Sequence, residues 1–163
     1  MRTIEDAILL AVGIHRGQRD KYGAPYILHP LRVMARVDTP AEKMIAVLHD
    51  VLEDSGLTPE DLVEVGYPPD VIQAIAHLTK RPGEAYETYI ARVRLHPLAR
   101  RVKLADLHDN MDVRRFPAEG WGERELARLQ RYRRAWETLM AEEEHASRPP
   151  DAGDTDHDPE KEP

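Results

Sequence analysis

From about residue 4 to residue 140, apolar residues return at spacings of three and four, and no stretch alternates as a half-buried strand would. That period belongs to helices packed on one face, so it excludes sheet architectures. Ile4, Ala7, Ile8, Ala11 and Ile14 form the first stripe, with Thr3 and Asp6 spaced as a variant capping box. Thr39, ahead of Pro40 and three before Glu42, opens a stripe of Ala41, Met44, Ile45, Leu48 and Leu52 that ends near Asp54. Thr58-Pro59 and Pro68-Pro69-Asp70 open two more helices. Another runs through Tyr86, Tyr89, Ile90 and Val93, and His96-Pro97 opens one that carries Val102 to Val113. A long amphipathic helix follows Gly122, with Leu126, Leu129, Trp136 and Leu139 on its inner side. The expected fold is all-α, a single compact multi-helix domain.

Composition sets the boundaries. The chain has 163 residues, enough for one domain, and 41% of them are hydrophobic. Residues 144–163 hold seven acids, two bases and four prolines but no Leu, Ile, Val, Phe, Tyr or Trp. Such a segment cannot bury enough surface to offset its ordering entropy, which predicts a domain over 1–143 and a disordered acidic tail over 144–163. Most of the net charge of −7 lies in that tail, so the domain itself is close to neutral and is not expected to offer a broad nucleic-acid surface. No run approaches the ~18 apolar residues of a membrane span. The first residues, acidic from Glu5, do not read as a signal peptide. Cysteine is absent, which removes disulfides and thiolate metal sites and fits a cytoplasmic location. Nothing in the sequence fixes an oligomeric state.

Against this helical background, Leu48-His49-Asp50-Val51-Leu52-Glu53-Asp54 is chemically unusual. An imidazole nitrogen and an adjacent carboxylate can hold one divalent ion, and acids four residues later can handle its water. Acids at a helix C-terminus oppose the macrodipole by roughly 0.3–1 kcal/mol each, so Glu53 and Asp54 imply a compensating role. Two further segments supply partners. Upstream lies Gly23-Ala24-Pro25-Tyr26-Ile27-Leu28-His29-Pro30, and downstream lies Val102-Lys103-Leu104-Ala105-Asp106 with Asn110-Met111. Lys103, Asp106, Asn110 and Arg114 share one face of a helix that is otherwise largely apolar, the pattern of a polar stripe lining a cleft. The candidate metal ligands are His29, His49, Asp50 and Asp106, a borderline-hard set suited to Mn²⁺, Fe²⁺, Co²⁺ or Zn²⁺. His96-Pro97 reads as a helix cap. His108-Asp109, a second His-Asp pair without following acids, reads as a cleft-rim or surface feature.

At these three segments the chain resembles the HD-domain hydrolases of guanosine tetraphosphate, the hydrolase half of the Rel/SpoT enzymes and their small single-domain relatives. The resemblance runs from about Ile4 to Met140 with the segments in family order. It implies one divalent ion, Mn²⁺ by preference, held by His29, His49, Asp50 and Asp106. It implies water activation by Glu53 and Asp54, substrate contact by Asn110, and release of GDP and pyrophosphate from the 3′ position. Lys21 and Lys103 are the leading cationic contacts to a phosphorylated nucleotide. The chain also departs from the family. Asp20 stands where an arginine commonly packs on the guanine base, while Leu107 and Asp112 replace basic residues. Restoring arginine at position 20 is therefore expected to strengthen substrate binding through a cation–π contact. Two other readings stay open: a phosphatase of the same fold acting on a nucleoside monophosphate or a 2′-phosphorylated dinucleotide, and a nucleotide-binding sensor without turnover.

Overall fold

The computed structural model describes residues 2–116 and 122–147. Among these residues eight α-helices follow one another: α1 (Ile4–Ile14), α2 (Leu28–Met34), α3 (Pro40–Leu48), α4 (Pro59–Val65), α5 (Pro69–Leu78), α6 (Tyr86–Arg94), α7 (Pro97–Asn110) and α8 (Glu123–Ser147). A short 3₁₀ turn, Val113–Arg115, sits between the last two. Among the described residues there is no strand, only an isolated bridge between Arg19 and Pro25. No described helix is long and apolar enough to cross a membrane.

Helix starts follow the chemistry of the caps. Thr3, Thr39 and Thr58 each accept from the backbone three residues on, and Asp6, Glu42 and Asp61 reciprocate. His96 caps α7 through the Ala99 amide. Helix α3 is the hub. It packs against α1, α2, α5 and α7, and Met44, Ile45, Ala46, Val47 and Leu48 are all buried. A helix apolar on nearly every side belongs in the core, and each such aliphatic side chain contributes roughly 1.5–3 kcal/mol by leaving water.

The ends differ from the sequence expectation. Helix α3 stops at Leu48 rather than near Asp54, with His49 as its C-cap. The His49 ring bonds the Ala46 carbonyl at 2.7 Å, the acceptor that the Asp50 amide would use in a continuing helix. The Val51 amide instead reaches back three residues to Leu48. Helix α7 likewise ends at Asn110, before Val113. Helix α8 continues through Ser147, four residues beyond the expected domain boundary. Residues 148–163 of the expected tail lie outside the described set. Leu126, expected on the inner face of α8, is 43% exposed; the helix buries Ala135 and Leu139 further along.

One ion pair locks the end of α5. Arg92 donates to the carbonyls of Ala76, His77 and Thr79 at 3.2, 2.8 and 3.0 Å, satisfying acceptors that a helix end leaves open. It also grips Glu84 at 3.0 and 2.8 Å. Those bonds to Arg92 hold Glu84 down to about 2, from an ordinary value of 4.5. A carboxylate lowered on folding contributes stability above its unfolded value and loses it as pH falls through the folded one. The melting temperatures of wild type and Glu84→Gln should therefore differ by a constant gap at neutral pH. That gap should close as pH falls from 4.5 towards 2. A gap that persists across the acid range would show that the contribution of Glu84 is not ionic.

Candidate active site

Three core helices bring together groups far apart in sequence. His29 lies in the first turn of α2, where Pro30 is tolerated because the first amides of a helix have no intrahelical acceptor. His49 caps α3, Asp50 follows it, and Asp106 projects from α7. His29 Nε2 lies 3.1 Å from Asp106 Oδ1 and 3.9 Å from Asp50 Oδ2. His49 Nε2 lies 3.0 Å from Asp50 Oδ2 and 3.8 Å from Asp106 Oδ1. One ligand atom from each of His29, His49 and Asp50 lies within 4.8 Å of the others, a cluster able to hold a metal ion. Donors sharing an ion at ~2.1 Å stand roughly 3–3.5 Å from one another; the four imidazole–carboxylate distances approach that spacing, although Asp106 lies outside the mutual cluster of the other three.

The other ring nitrogens fix the tautomers. His49 Nδ1 faces the Ala46 carbonyl, which only accepts, so Nδ1 keeps a proton and Nε2, facing the carboxylates, is the nitrogen left to release its proton to a metal. His29 Nδ1 faces Asp109 Oδ2 at 2.8 Å, with the same consequence. Burial opposes charge on both rings, but the hydrogen bonds to Asp106 and Asp109 push His29 up to about 9. Asp50 pulls His49 up as well. Burial would raise Asp50 and Asp106, yet His49 beside the first and Lys103 beside the second hold both below the usual carboxylate range. Both carboxylates of the floor are thus held ionised, the form that a metal ligand requires. Tyr26 donates its hydroxyl to Asp50 Oδ2. Lys103 Nζ and Asn110 Nδ2 donate to the two oxygens of Asp106 at 2.7 and 2.6 Å.

Above this floor opens a cleft of about 360 Å³, within the usual range for small-molecule sites. Its lining includes His29, Asp50, Lys103, Asp106 and Asn110, with Lys21 and Asp20 from the loop before α2. Arg19, Tyr26, Arg115, Arg128 and Tyr132 complete it. Burial, together with Arg128 and Arg115, lowers Lys21 to about 8, so cations crowd this wall. Glu53 and Asp54 do not line the cleft; they sit in the turns after α3. Glu53 Oε1 accepts from the Lys80 amide at 2.5 Å, and Asp54 Oδ2 lies 3.5 Å from His15 Nδ1. Burial and the charge of Asp50 raise both carboxyls.

No family model matches the sequence. Curated relatives do. The chain is 34% identical over 154 residues to a GTP pyrophosphokinase of Streptomyces coelicolor, a match covering 85% of this chain and 17% of the relative. It is 36% identical over 69 residues to the bifunctional (p)ppGpp synthase/hydrolase SpoT of Escherichia coli, covering 40% and 10% of the two chains. The chain therefore spans only a small part of the curated relatives it matches. A solved structure of a metazoan SpoT orthologue, described as hydrolysing ppGpp, superposes with a TM-score of 0.68 at 25% identity, covering 84% of each chain. In sequence and in fold the chain resembles the Rel/SpoT hydrolase (HD) family.

Within this Rel/SpoT-like domain the structure corrects two sequence expectations. Asp20 is not a free acid at the substrate position. Its Oδ1 accepts from the Tyr22 and Ala24 amides at 2.9 and 3.0 Å, and its Oδ2 accepts from Arg115 at 2.8 Å. An arginine at position 20 would break that turn and face Arg115, so the expected gain in binding does not follow. Asp109 is no surface feature either. It is fully buried and bonds His29, Arg32 and Arg115, whereas His108 beside it is exposed. The sequence reading also passed over Tyr26, Arg128 and Tyr132. Tyr26 was visible within the Pro25-Tyr26 motif. Arg128 and Tyr132 carry no motif and join the cleft only through the packing of α8.

Proposed function

We propose that this domain is a metal-dependent hydrolase of a small phosphorylated nucleotide, most specifically a guanosine 3′,5′-bis(diphosphate) 3′-pyrophosphohydrolase. The carrying observation is the convergence of two imidazoles and two carboxylates beneath a cleft walled by cations. His29, His49, Asp50 and Asp106 would hold one divalent ion. Their two nitrogens and two oxygens suit a borderline metal, and Mn²⁺ is the assignment. Bound there, such an ion lowers the pKa of its water and polarises a phosphoryl oxygen.

The chain's own groups supply the rest. Lys21 and Arg128 meet the diphosphate, and arginine pairs phosphate bidentately. Lys103 and Asn110 fix both oxygens of Asp106, so that carboxylate cannot rotate as substrate enters. Tyr26 holds Asp50 in the same way. Burial and Asp50 drive its hydroxyl far above the ordinary value, so it stays protonated and remains a donor. Glu53 and Asp54, raised by burial and by Asp50, are poised to accept the proton of the attacking water.

A panel of nucleotides incubated with Mn²⁺, with products resolved by chromatography, tests this reading. The expected result is GDP and pyrophosphate from the tetraphosphate. Orthophosphate release from a monophosphate or a 2′-phosphorylated dinucleotide would instead favour a phosphatase of the same fold. Tight binding without any product would favour a sensor.

A further inference from the structure

The proposed chemistry leaves a buried charge network unused. Asp109 lies at its centre, with no solvent exposure. Its Oδ2 accepts from His29 Nδ1 at 2.8 Å and from Arg115 Nη1 at 2.6 Å. Arg32 grips both its oxygens, Nε on Oδ1 at 2.7 Å and Nη2 on Oδ2 at 3.1 Å. Arg115 then extends outward, where its Nη2 meets Asp20 Oδ2 at 2.8 Å. Asp20 in turn shapes the backbone turn around Lys21 through the Tyr22 and Ala24 amides. Two carboxylates and two guanidiniums balance, so the chain from His29 to Lys21 has no net charge of its own. A buried carboxylate without partners is expensive. Here every acid oxygen is paired, and each pairing fixes its neighbour's rotamer.

We propose that Asp109 and Arg115 are positioning residues: Asp109 sets the plane of the His29 imidazole, and Arg115 ties that plane to the Asp20 turn that presents Lys21. The inference rests on the metal reading of His29, His49, Asp50 and Asp106. Its consequence is that the rim of the cleft influences ion binding at the floor through residues that touch neither ion nor substrate.

Mn²⁺ affinity, measured by calorimetric titration of the metal-free protein, tests it. Asp109→Asn should weaken binding roughly 10–100-fold, the usual effect of removing an outer partner of a metal-ligating histidine. The imidazole nitrogen resonances of His29 in the metal-free variant should shift as well, a signal that altered stability alone would not produce. Asp20→Asn, which does not contact His29, should weaken Mn²⁺ binding several-fold. It should add nothing in an Arg115→Gln background, because the two residues act through one path. Should Asp109→Asn fail to fold, the Asp20 and Arg115 pair carries the test. Wild-type Mn²⁺ affinity in Asp109→Asn, or in both Asp20→Asn and Arg115→Gln, would overturn the proposal. His49→Ala serves as the control: if it too keeps full Mn²⁺ affinity, the metal reading has failed rather than the network.

Discussion

His49→Ala and Asp50→Ala are each expected to lose bound metal and turnover together. The two side chains meet at 3.0 Å, and both also lie within 4 Å of a second donor across the site. Losing a direct ligand should exceed the roughly 10–100-fold penalty of losing an outer partner. Elemental analysis of the purified variants measures the metal, and product formation measures the turnover. Undiminished metal in both would sink the ligand assignment. Alanine at 49 also strands the Ala46 carbonyl, at a cost of about 1–3 kcal/mol for a buried group. A melting curve therefore accompanies the assay, and Asp50→Asn, nearly isosteric, separates ligand loss from unfolding.

Glu53→Gln is expected to separate chemistry from metal binding. The amide oxygen of glutamine can still accept from the Lys80 amide, so the turn after α3 should hold. What disappears is the ability to take a proton. Turnover should fall by roughly 10²–10⁴-fold, the range for a positioned general base, while metal content stays at the wild-type level. Burial and Asp50 raise the Glu53 carboxyl above its ordinary 4.5. A base must be deprotonated to act, so wild-type kcat should fall as pH drops through that raised value. The corresponding limb of the profile should be missing from what remains in the variant. Activity near wild type would place the responsible base elsewhere.

These residues also show where sequence reading succeeds and where it stops. Helix starts are legible because their chemistry is local: Thr3, Thr39 and Thr58 each meet their acidic partner within one turn. Helix ends are less so. The apolar period through Leu52 carries no sign that the His49 ring will occupy the Ala46 carbonyl and stop α3. The gathering of His29, His49, Asp50 and Asp106 was legible from their motifs. The partners of these residues were not, since Asp109 reaches His29 across 80 positions and Arg115 reaches Asp20 across 95. The expectation for Asp20 failed for the same reason: a position was judged by what the family places there, while the local turn and a distant arginine use both of its oxygens.

The cleft's floor and its walls belong to different parts of the molecule. His29, His49 and Asp106 are almost wholly buried on helices that form the core, so exchanging any of them disturbs packing as well as chemistry. Lys21 stands on an exposed turn, and Arg128 and Tyr132 stand part-exposed on α8. Surface replacements away from special contacts usually change stability by no more than about 0.5 kcal/mol. Selection acting on such a molecule meets unequal resistance. The floor of the cleft is held in place by folding itself, whereas its cationic wall can drift at little cost. Lineages descending from one ancestor with this architecture can therefore diverge in which ligand the wall admits while the floor beneath it stays the same.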